Sequence, residues 1–423
     1  MFFLNNCSFD TKSGIWQSDK SVVKKNYDIF KEFKKIQIEQ EVFNEEILLD
    51  SKINLKISKP IKNTKWQDIY YSDENNFENF YYNSSNKIAL RSKKISRSKL
   101  NNTPLFHNGN LITSDEKGNI LVFSTNQKKI ISKFNFYKKN FKEIKKKLNL
   151  YLENHVIYVS DNLGYLYSFD YRNSKVNWAI NHKLPFKSNL KVTKDEIVCA
   201  DVNNNLIIFN KKDGKKIDLI PTENTTITNE FKNNISKEGD NLFFLNSYGS
   251  LYSVDIKGRK LKWFININPS LNLNQLSLFN GSQIVNSENR IVVSSNNSTY
   301  LINSKTGTIL KKYNFSSLTK PIINNNICFL ITKNNFLVAI NLKNFQILYS
   351  QDINLKVSQF LDSKKKELSL KNMMLLNDDV YIFLANSYIL IFEKNGILQQ
   401  IRKLPSKINS SPILVDSSII FLN

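Results

Sequence analysis

Val156-Ile-Tyr-Val-Ser-Asp-Asn-Leu-Gly-Tyr-Leu-Tyr-Ser-Phe-Asp170, running on to Trp178, is the stretch that decides the fold. An apolar run, a polar turn holding Gly164, a second apolar run closed by an acid, and another turn before Trp178 describe short strands joined by tight turns. The string returns as Leu242-Phe-Phe-Leu-Asn-Ser-Tyr-Gly-Ser-Leu-Tyr-Ser-Val-Asp255, running on to Trp263. Weaker copies pass through Ile120–Phe123, Leu206–Phe209, Thr299–Ile302, Leu337–Ile340 and Ile389–Phe392. Aligned on the turn residue they give Gly118, Gly164, Asn204, Gly249, Asn297, Asn335 and Ser387, in steps of 38 to 52 residues. Gly and Asn suit a turn that needs positive φ. Four short strands per step, with no helical stretch, are the signature of a β-propeller blade.

Counting strands sharpens the expectation. A further short strand precedes each inner pair, as Ser282-Gln-Ile-Val precedes Ile291-Val-Val and Lys320-Pro-Ile-Ile precedes Ile327-Cys-Phe-Leu. With Ser411-Pro-Ile-Leu-Val and Ser418-Ile-Ile-Phe-Leu there are eight first-and-second strand hairpins, followed by only seven third-and-fourth pairs. The chain is therefore expected to be all-β, an eight-bladed propeller over residues 65–423 with seven full blades and an eighth closed by, or incomplete between, the termini. Propellers lose their open edge by borrowing a strand from the opposite terminus, and Lys65-Trp-Gln-Asp-Ile-Tyr-Tyr71 is the expected outer strand of the last blade. For its third strand, either Lys87-Ile-Ala-Leu-Arg-Ser92 substitutes or the C-terminus is clipped.

Asp170 stands eight residues before Trp178 and Asp255 eight before Trp263, with Asn341 to Tyr349 a softened copy, and Asn303-Ser-Lys-Thr-Gly-Thr keeps a Thr-Gly. This pattern resembles the A-x-D-x-x-T-G-x-x-x-W repeat of propellers related to pyrroloquinoline-quinone (PQQ) enzymes. The resemblance gives Asp170, Trp178, Asp255 and Trp263 a structural role, the indole packing between blades while the acid fixes the turn. Quinoprotein dehydrogenases carry a vicinal cysteine pair and calcium-ligating acids, and no Cys-Cys pair exists here. Length, blade count and Trp66 resemble instead the B subunit of the bacterial outer-membrane β-barrel assembly machinery. That resemblance implies a scaffold without enzymatic activity or cofactor, lipid-anchored on the periplasmic face of the outer membrane. It would bind the membrane-embedded barrel subunit through propeller loops, as a monomer within a hetero-complex. The alternative is a quinone- or ligand-binding propeller enzyme.

Leu4-Asn-Asn-Cys7 looks like the end of a lipoprotein signal, which makes Cys7 the expected lipid attachment residue. Residues 1–64 then read as a tether. Ile29, Phe33, Ile36, Gln40, Phe43 and Ile47 have near-helical spacing, so a helix is expected within 27–50. Cys199 and Cys328 lie in apolar strands and read as inert thiols.

Nothing in the sequence forms a catalytic constellation. His107, His155 and His182 have no second histidine at ligand spacing, and no P-loop, nucleophile elbow, zincin motif or dinucleotide fingerprint occurs. The formal charge of +23 comes from 60 Lys and Arg against 37 Asp and Glu. Lys supplies 54 of the 60 bases, Asn occurs 61 times and Ala 5 times, a bias towards AT-rich codons that accounts for much of the charge. Two local clusters, Arg91–Lys99 and Lys138–Lys147, each carry about +5 and read as solvated faces; no base-stacking motif accompanies them, so no nucleic-acid partner is expected. The loop 268–280 crowds Leu271, Leu273, Leu276, Leu278 and Phe279, candidate partner contacts because the repeat does not need them for its core; the alternative is that they pack beneath their own loop.

Overall fold

The computed structural model describes residues 43–85, 87–101, 103–137, 141–223, 229–268 and 279–423, together with the short strands Ser8–Phe9 and Trp16–Gln17. Residues 43–423 form one compact unit and 1–42 another. In the N-terminal unit, Ser8 pairs with Gln17 and Phe9 with Trp16, antiparallel.

Seven antiparallel four-stranded blades follow one another, each in simple up-and-down order. Blade 1 holds Leu105–His107, Asn110–Ser114, Asn119–Ser124 and Lys129–Asn135; blade 2 holds Leu148–Glu153, Val156–Asp161, Tyr165–Asp170 and Lys175–Asn181. Blades 3 to 7 open at Lys191–Val192, Asn234–Glu238, Val285–Ser287, Ile322–Asn324 and Leu370–Leu376. Blade 8 has two strands among the described residues, Ile413–Val415 and Ser418–Ile420. Eight first hairpins and seven second ones are the count expected from the repeat.

Burial explains why the middle strands read as unbroken apolar runs. Both faces of a blade pack on neighbouring blades, so Ile157, Val159, Leu166 and Phe169 are all buried. Fourth strands lie outermost and most are partly exposed; Lys175–Asn181 alternates exposed and half-buried, whereas Ile347–Asp352 is mostly buried. Apolar clusters fill the joints, with Val198, Ile208, Phe244 and Val254 between blades 3 and 4. Of the seven aligned turn residues, six take positive φ, from 63° at Asn204 and Asn335 to 89° at Gly164.

Two expectations need correction. Lys65–Trp66 is not the outer strand of the last blade: it pairs with Leu105–His107, the innermost strand of blade 1, through Lys65↔His107 and Trp66↔Phe106. An innermost strand exposes the same unpaired backbone as an outermost one, and the pattern of the incoming segment cannot distinguish them. Nor does Lys87–Ser92 form a strand. The expected helix over 27–50 falls mainly outside the described residues, and its described end, Phe43–Asp50, is not helical. Ile47 instead bridges to Ser350 in blade 6. A helix does occur at Ile353–Phe360, capped by Asp352, whose carboxylate accepts from the Leu355 N–H at 3.0 Å. It occupies the longest step of the repeat, between Asn335 and Ser387.

Candidate functional site

The innermost strands of the eight blades line an axis, and the chain fills that axis itself. Residues 61–83 run through it and bond to every blade in turn. Trp66 and Lys65 pair with blade 1; in blade 2 the Leu152 N–H donates to Gln67 O at 2.8 Å. In blade 4 the Lys237 N–H reaches Asp73 O, and in blade 5 the Asn286 N–H reaches Glu74 O. Asn76 makes a reciprocal pair with Ile323 of blade 6, donating to its carbonyl at 2.7 Å and accepting from its N–H at 2.9 Å. Asn79 and Phe80 add a parallel strand to Leu375–Leu376 of blade 7. Asn63 donates to Leu414 O of blade 8 at 2.6 Å and its own carbonyl accepts from the Asp416 N–H.

Blade 3 contributes a charge. The Lys191 ammonium, wholly buried, meets Asp68 Oδ2 at 2.6 Å, Ser72 O at 2.7 Å and Asn75 Oδ1 at 2.8 Å. All three donors of the ammonium are thereby satisfied. Lys320 is a second buried cation: its Nζ donates to Tyr70 O at 3.0 Å and lies 3.3 Å from the centroid of the Phe77 ring. Burial pushes this ammonium well below its ordinary pKa, against the pull of Asp68. Trp66, Tyr71, Phe77 and Phe80 stack about one another inside the ring, Trp66 lying 4.8 Å from Tyr71 and 5.4 Å from Phe77. The axis is thus a core, with side-chain amides taking the place of a regular ladder.

At one mouth of the axis lies a cavity of about 590 Å³, lined by Tyr70, Lys232, Asn234, Phe279, Ser282 and Gln283 among others. Burial lowers Lys232 to about 8. Burial first, then the charge of Asp68, raises Tyr70 to about 12. Phe279 faces inwards here, 3% exposed, with its ring 5.0 Å from Phe231. As a buried anchor of its loop, Phe279 follows the second of the two alternatives, packing beneath the loop, rather than that of an exposed partner contact. Leu271, Leu273, Leu276 and Leu278 lie outside the described residues, as does Cys7.

The other singled-out residues sit at blade joints. Asp170 Oδ1 accepts from the N–H groups of Arg172 and Asn173 at 2.9 and 3.2 Å, and Asp255 Oδ1 from those of Lys257 and Gly258 at 3.1 Å. Trp178 Nε1 donates across the joint to Lys211 O of blade 3, and Trp263 Nε1 to Ser304 O of blade 5, at 3.1 and 3.0 Å. Each indole lies on a glycine of the next blade: a Cβ on Gly307 would come 2.7 Å from the Trp263 ring, and Gly214 stands in the same relation to Trp178. The sequence marks Gly307 through its Thr-Gly, whereas Gly214 went unremarked, and the close approach of an indole to either glycine is visible only in the structure.

The histidines are dispersed. His182 meets Asp201 at 3.2 Å beneath Phe186, and His155 lies 3.6 Å from Asp170. Among the described residues no group of three or more His, Cys, Asp or Glu side chains could hold a metal ion. No described helix is long and apolar enough to cross a membrane.

One carboxyl is displaced in a testable way. Asp379 opens the second strand of blade 7, and burial, then the charges of Glu393 and Asp378, raise it from 3.8 to about 6. An acid with a raised folded-state pKa holds its proton more tightly when folded. Its contribution is therefore fully present below about pH 4 and lost as pH rises through 6. Asp379→Asn is expected to stabilise the fold at pH 7.5 by roughly 1 kcal/mol, discounted for partial exposure, with the gain vanishing below about pH 4. Urea midpoints at the two pH values check this; an equal gain at both would refute it.

Comparison with solved structures places the fold. BamB from Moraxella catarrhalis superposes with a TM-score of 0.61 at 11% identity, covering 77% of this chain and 94% of that one. The quinohemoprotein alcohol dehydrogenase ADHIIG from Pseudomonas putida HK5 also gives 0.61, at 10% identity over 85% of this chain and 75% of that one. A europium-containing methanol dehydrogenase gives 0.61 at 10% identity, over 83% and 87%. These likenesses show a shared propeller fold. Compared by sequence with curated proteins, the chain matches none. The family model for the outer membrane protein assembly factor BamB, however, matches residues 116–351. With more than half of its length so matched, the chain belongs to the BamB family of PQQ-like β-propellers.

Proposed function

We propose that the chain is a non-catalytic scaffold of the outer-membrane β-barrel assembly machinery, holding the membrane-embedded barrel subunit from the periplasmic side through its propeller loops. The observation that carries this reading is the filled axis. Asp68, Asn75 and Asn76 spend their polar groups on the blades themselves, so a ligand on the axis would have to expel a hydrogen-bonded core. The rims and interblade loops remain as the working surface. Those loops join elements already fixed by eight-fold packing, which holds a contact surface rigid at low entropic cost.

The test pairs two measurements on the full chain. Titration with PQQ and Ca²⁺ is expected to show no stoichiometric binding. The membrane-embedded barrel subunit, co-expressed, is expected to co-purify with the chain and to be lost when residues 269–278, short of the Phe279 anchor, are replaced by a short Gly-Ser linker. Tight one-to-one PQQ binding would favour the rival reading of a ligand-binding enzyme and overturn the scaffold. Failure to co-purify with the intact chain would overturn the proposed partner.

A further inference from the structure

The mouth of the axis that Tyr70 and Lys232 line is built from the residues leading into the first strands of blades 4 and 5. Asn229 ties the two lead-ins together: its Nδ2 donates to Phe279 O at 3.1 Å and to Ser247 O at 2.9 Å. Phe231 and Phe279 supply an aromatic wall. The cavity of about 590 Å³ beside them falls in the size range of small-molecule sites. It lies at the end of the axial core, so filling it breaks none of the hydrogen bonds by which residues 61–83 hold the blades.

The charges round this mouth do not balance. The Lys232 ammonium makes no hydrogen bond or ion pair among the described residues, and Asp68 is the one charge there that acts on it. Asp68 is already engaged: Oδ2 meets Lys191 at 2.6 Å and Oδ1 accepts from the Tyr70 N–H at 2.8 Å. Lys320 holds Tyr70 O from within, and Lys187 reaches the cavity wall through Asn229 Oδ1 at 3.0 Å. Burial lowers the pKa of Lys187, Lys232 and Lys320 alike, as it does where ammonium groups have too little negative charge beside them. Four lysines thus face one buried carboxylate, with Glu230 exposed at the rim. A cleft lined by one sign of charge draws the opposite sign.

An independent feature points to the same kind of ligand. Asn234 is 1% exposed and lines the cavity, and its Nδ2 has no hydrogen-bond partner among the described residues. Its Oδ1 accepts from the Asn75 Nδ2 at 3.2 Å and from the Ile284 N–H at 2.8 Å, which leaves the nitrogen as the free end of the amide. A buried donor without an acceptor is rare in a protein interior. Asn234 and Gln283 both stand beside the Tyr70 hydroxyl. An ammonium, an amide and a phenol, donors all three, therefore meet next to two aromatic rings. A carboxylate has acceptor sites for every one of them.

We infer that this mouth is a binding site for a small organic monocarboxylate. Lys232 and the Asn234 Nδ2 hold the carboxylate, the Tyr70 hydroxyl is a third donor, and an apolar or aromatic body lies against Phe231 and Phe279. At this mouth Lys232 is the one ammonium without a partner among the described residues, so a single negative charge is what the site takes. The site goes beyond the scaffold reading and needs no partner protein, so either can fail without the other.

Isothermal titration of the full chain at neutral pH tests this with three probes. Phenylacetate is expected to bind one-to-one, about tenfold or more tighter than phenylacetamide, which has the shape without the charge, or inorganic phosphate, which has charge without the ring. Lys232→Met is expected to weaken phenylacetate binding about tenfold or more, whereas Lys407→Met, an exposed control, leaves it unchanged. Asn234→Asp keeps the oxygen that holds Asn75 but turns the free donor into an acceptor, so it is expected to abolish binding; urea midpoints show whether each variant folds. A bound carboxylate favours the protonated amine, so affinity is expected to fall as pH rises through about 8, with proton uptake on binding that Lys232→Met lacks. Phenylacetamide or phosphate binding as tightly as phenylacetate would overturn the proposal. So would unchanged affinity in a folded Lys232→Met, or no phenylacetate binding to the unsubstituted chain.

Discussion

Lys191→Met is expected to destabilise the propeller by about 3–5 kcal/mol, because it leaves the Asp68 carboxylate buried without its cation. The methionine fills the space of the lysine stem, so the loss is electrostatic rather than a cavity. Asp68 sits in the axial segment and Lys191 in blade 3, with both side chains almost free of solvent contact, so water cannot replace the lost partner. Adding Asp68→Asn removes the orphaned charge, and the double variant is expected to recover part of the loss. A double-mutant cycle on urea midpoints separates the pair energy from packing. A cost below about 1 kcal/mol for Lys191→Met would mean that water reaches the axis.

Trp66→Ala should be comparably costly, about 3–5 kcal/mol for a large buried side chain cut to a methyl. The indole is 1% exposed and wedged against Tyr71, Phe77 and Phe80. Its Nε1 has no hydrogen-bond partner among the described residues, so the indole contributes area and shape and no bond. Trp66→Phe is therefore expected to cost much less than Trp66→Ala. The measurement is urea unfolding followed through the remaining tryptophans, with limited proteolysis between residues 61 and 83 as an independent check. Equal costs for Phe and Ala would show that the indole itself is needed.

What the sequence made legible followed from backbone rules. Tight turns at Gly118, Gly164 and Gly249 need positive φ, and the runs between them, buried on both faces, must be apolar; together they yield blades and their number. The axial segment obeys no such rule. Asn63, Asn75, Asn76 and Asn79 each meet a different blade through a side-chain amide. These contacts repeat at no period, and asparagine is so common in this chain that four more carry no signal. Phe279 was ambiguous for a related reason: apolar residues outside the repeat can face a partner or anchor their own loop, and the pattern does not say which. Composition also hid the ammonium groups of Lys191 and Lys320, which count towards +23 as though solvated.

The filled axis has a consequence for how the ring comes apart. Repeat proteins in which each unit touches only its neighbours unfold piecemeal, with a stability close to a sum of local terms. Here a single strand of chain, synthesised early, is bonded to all eight units, including Leu414, which lies 351 residues further along. No blade can leave without disturbing that shared hub, and the hub cannot settle until the last blade exists. Unfolding should therefore be a concerted event, and refolding slow, as expected where the decisive contacts join distant parts of the sequence.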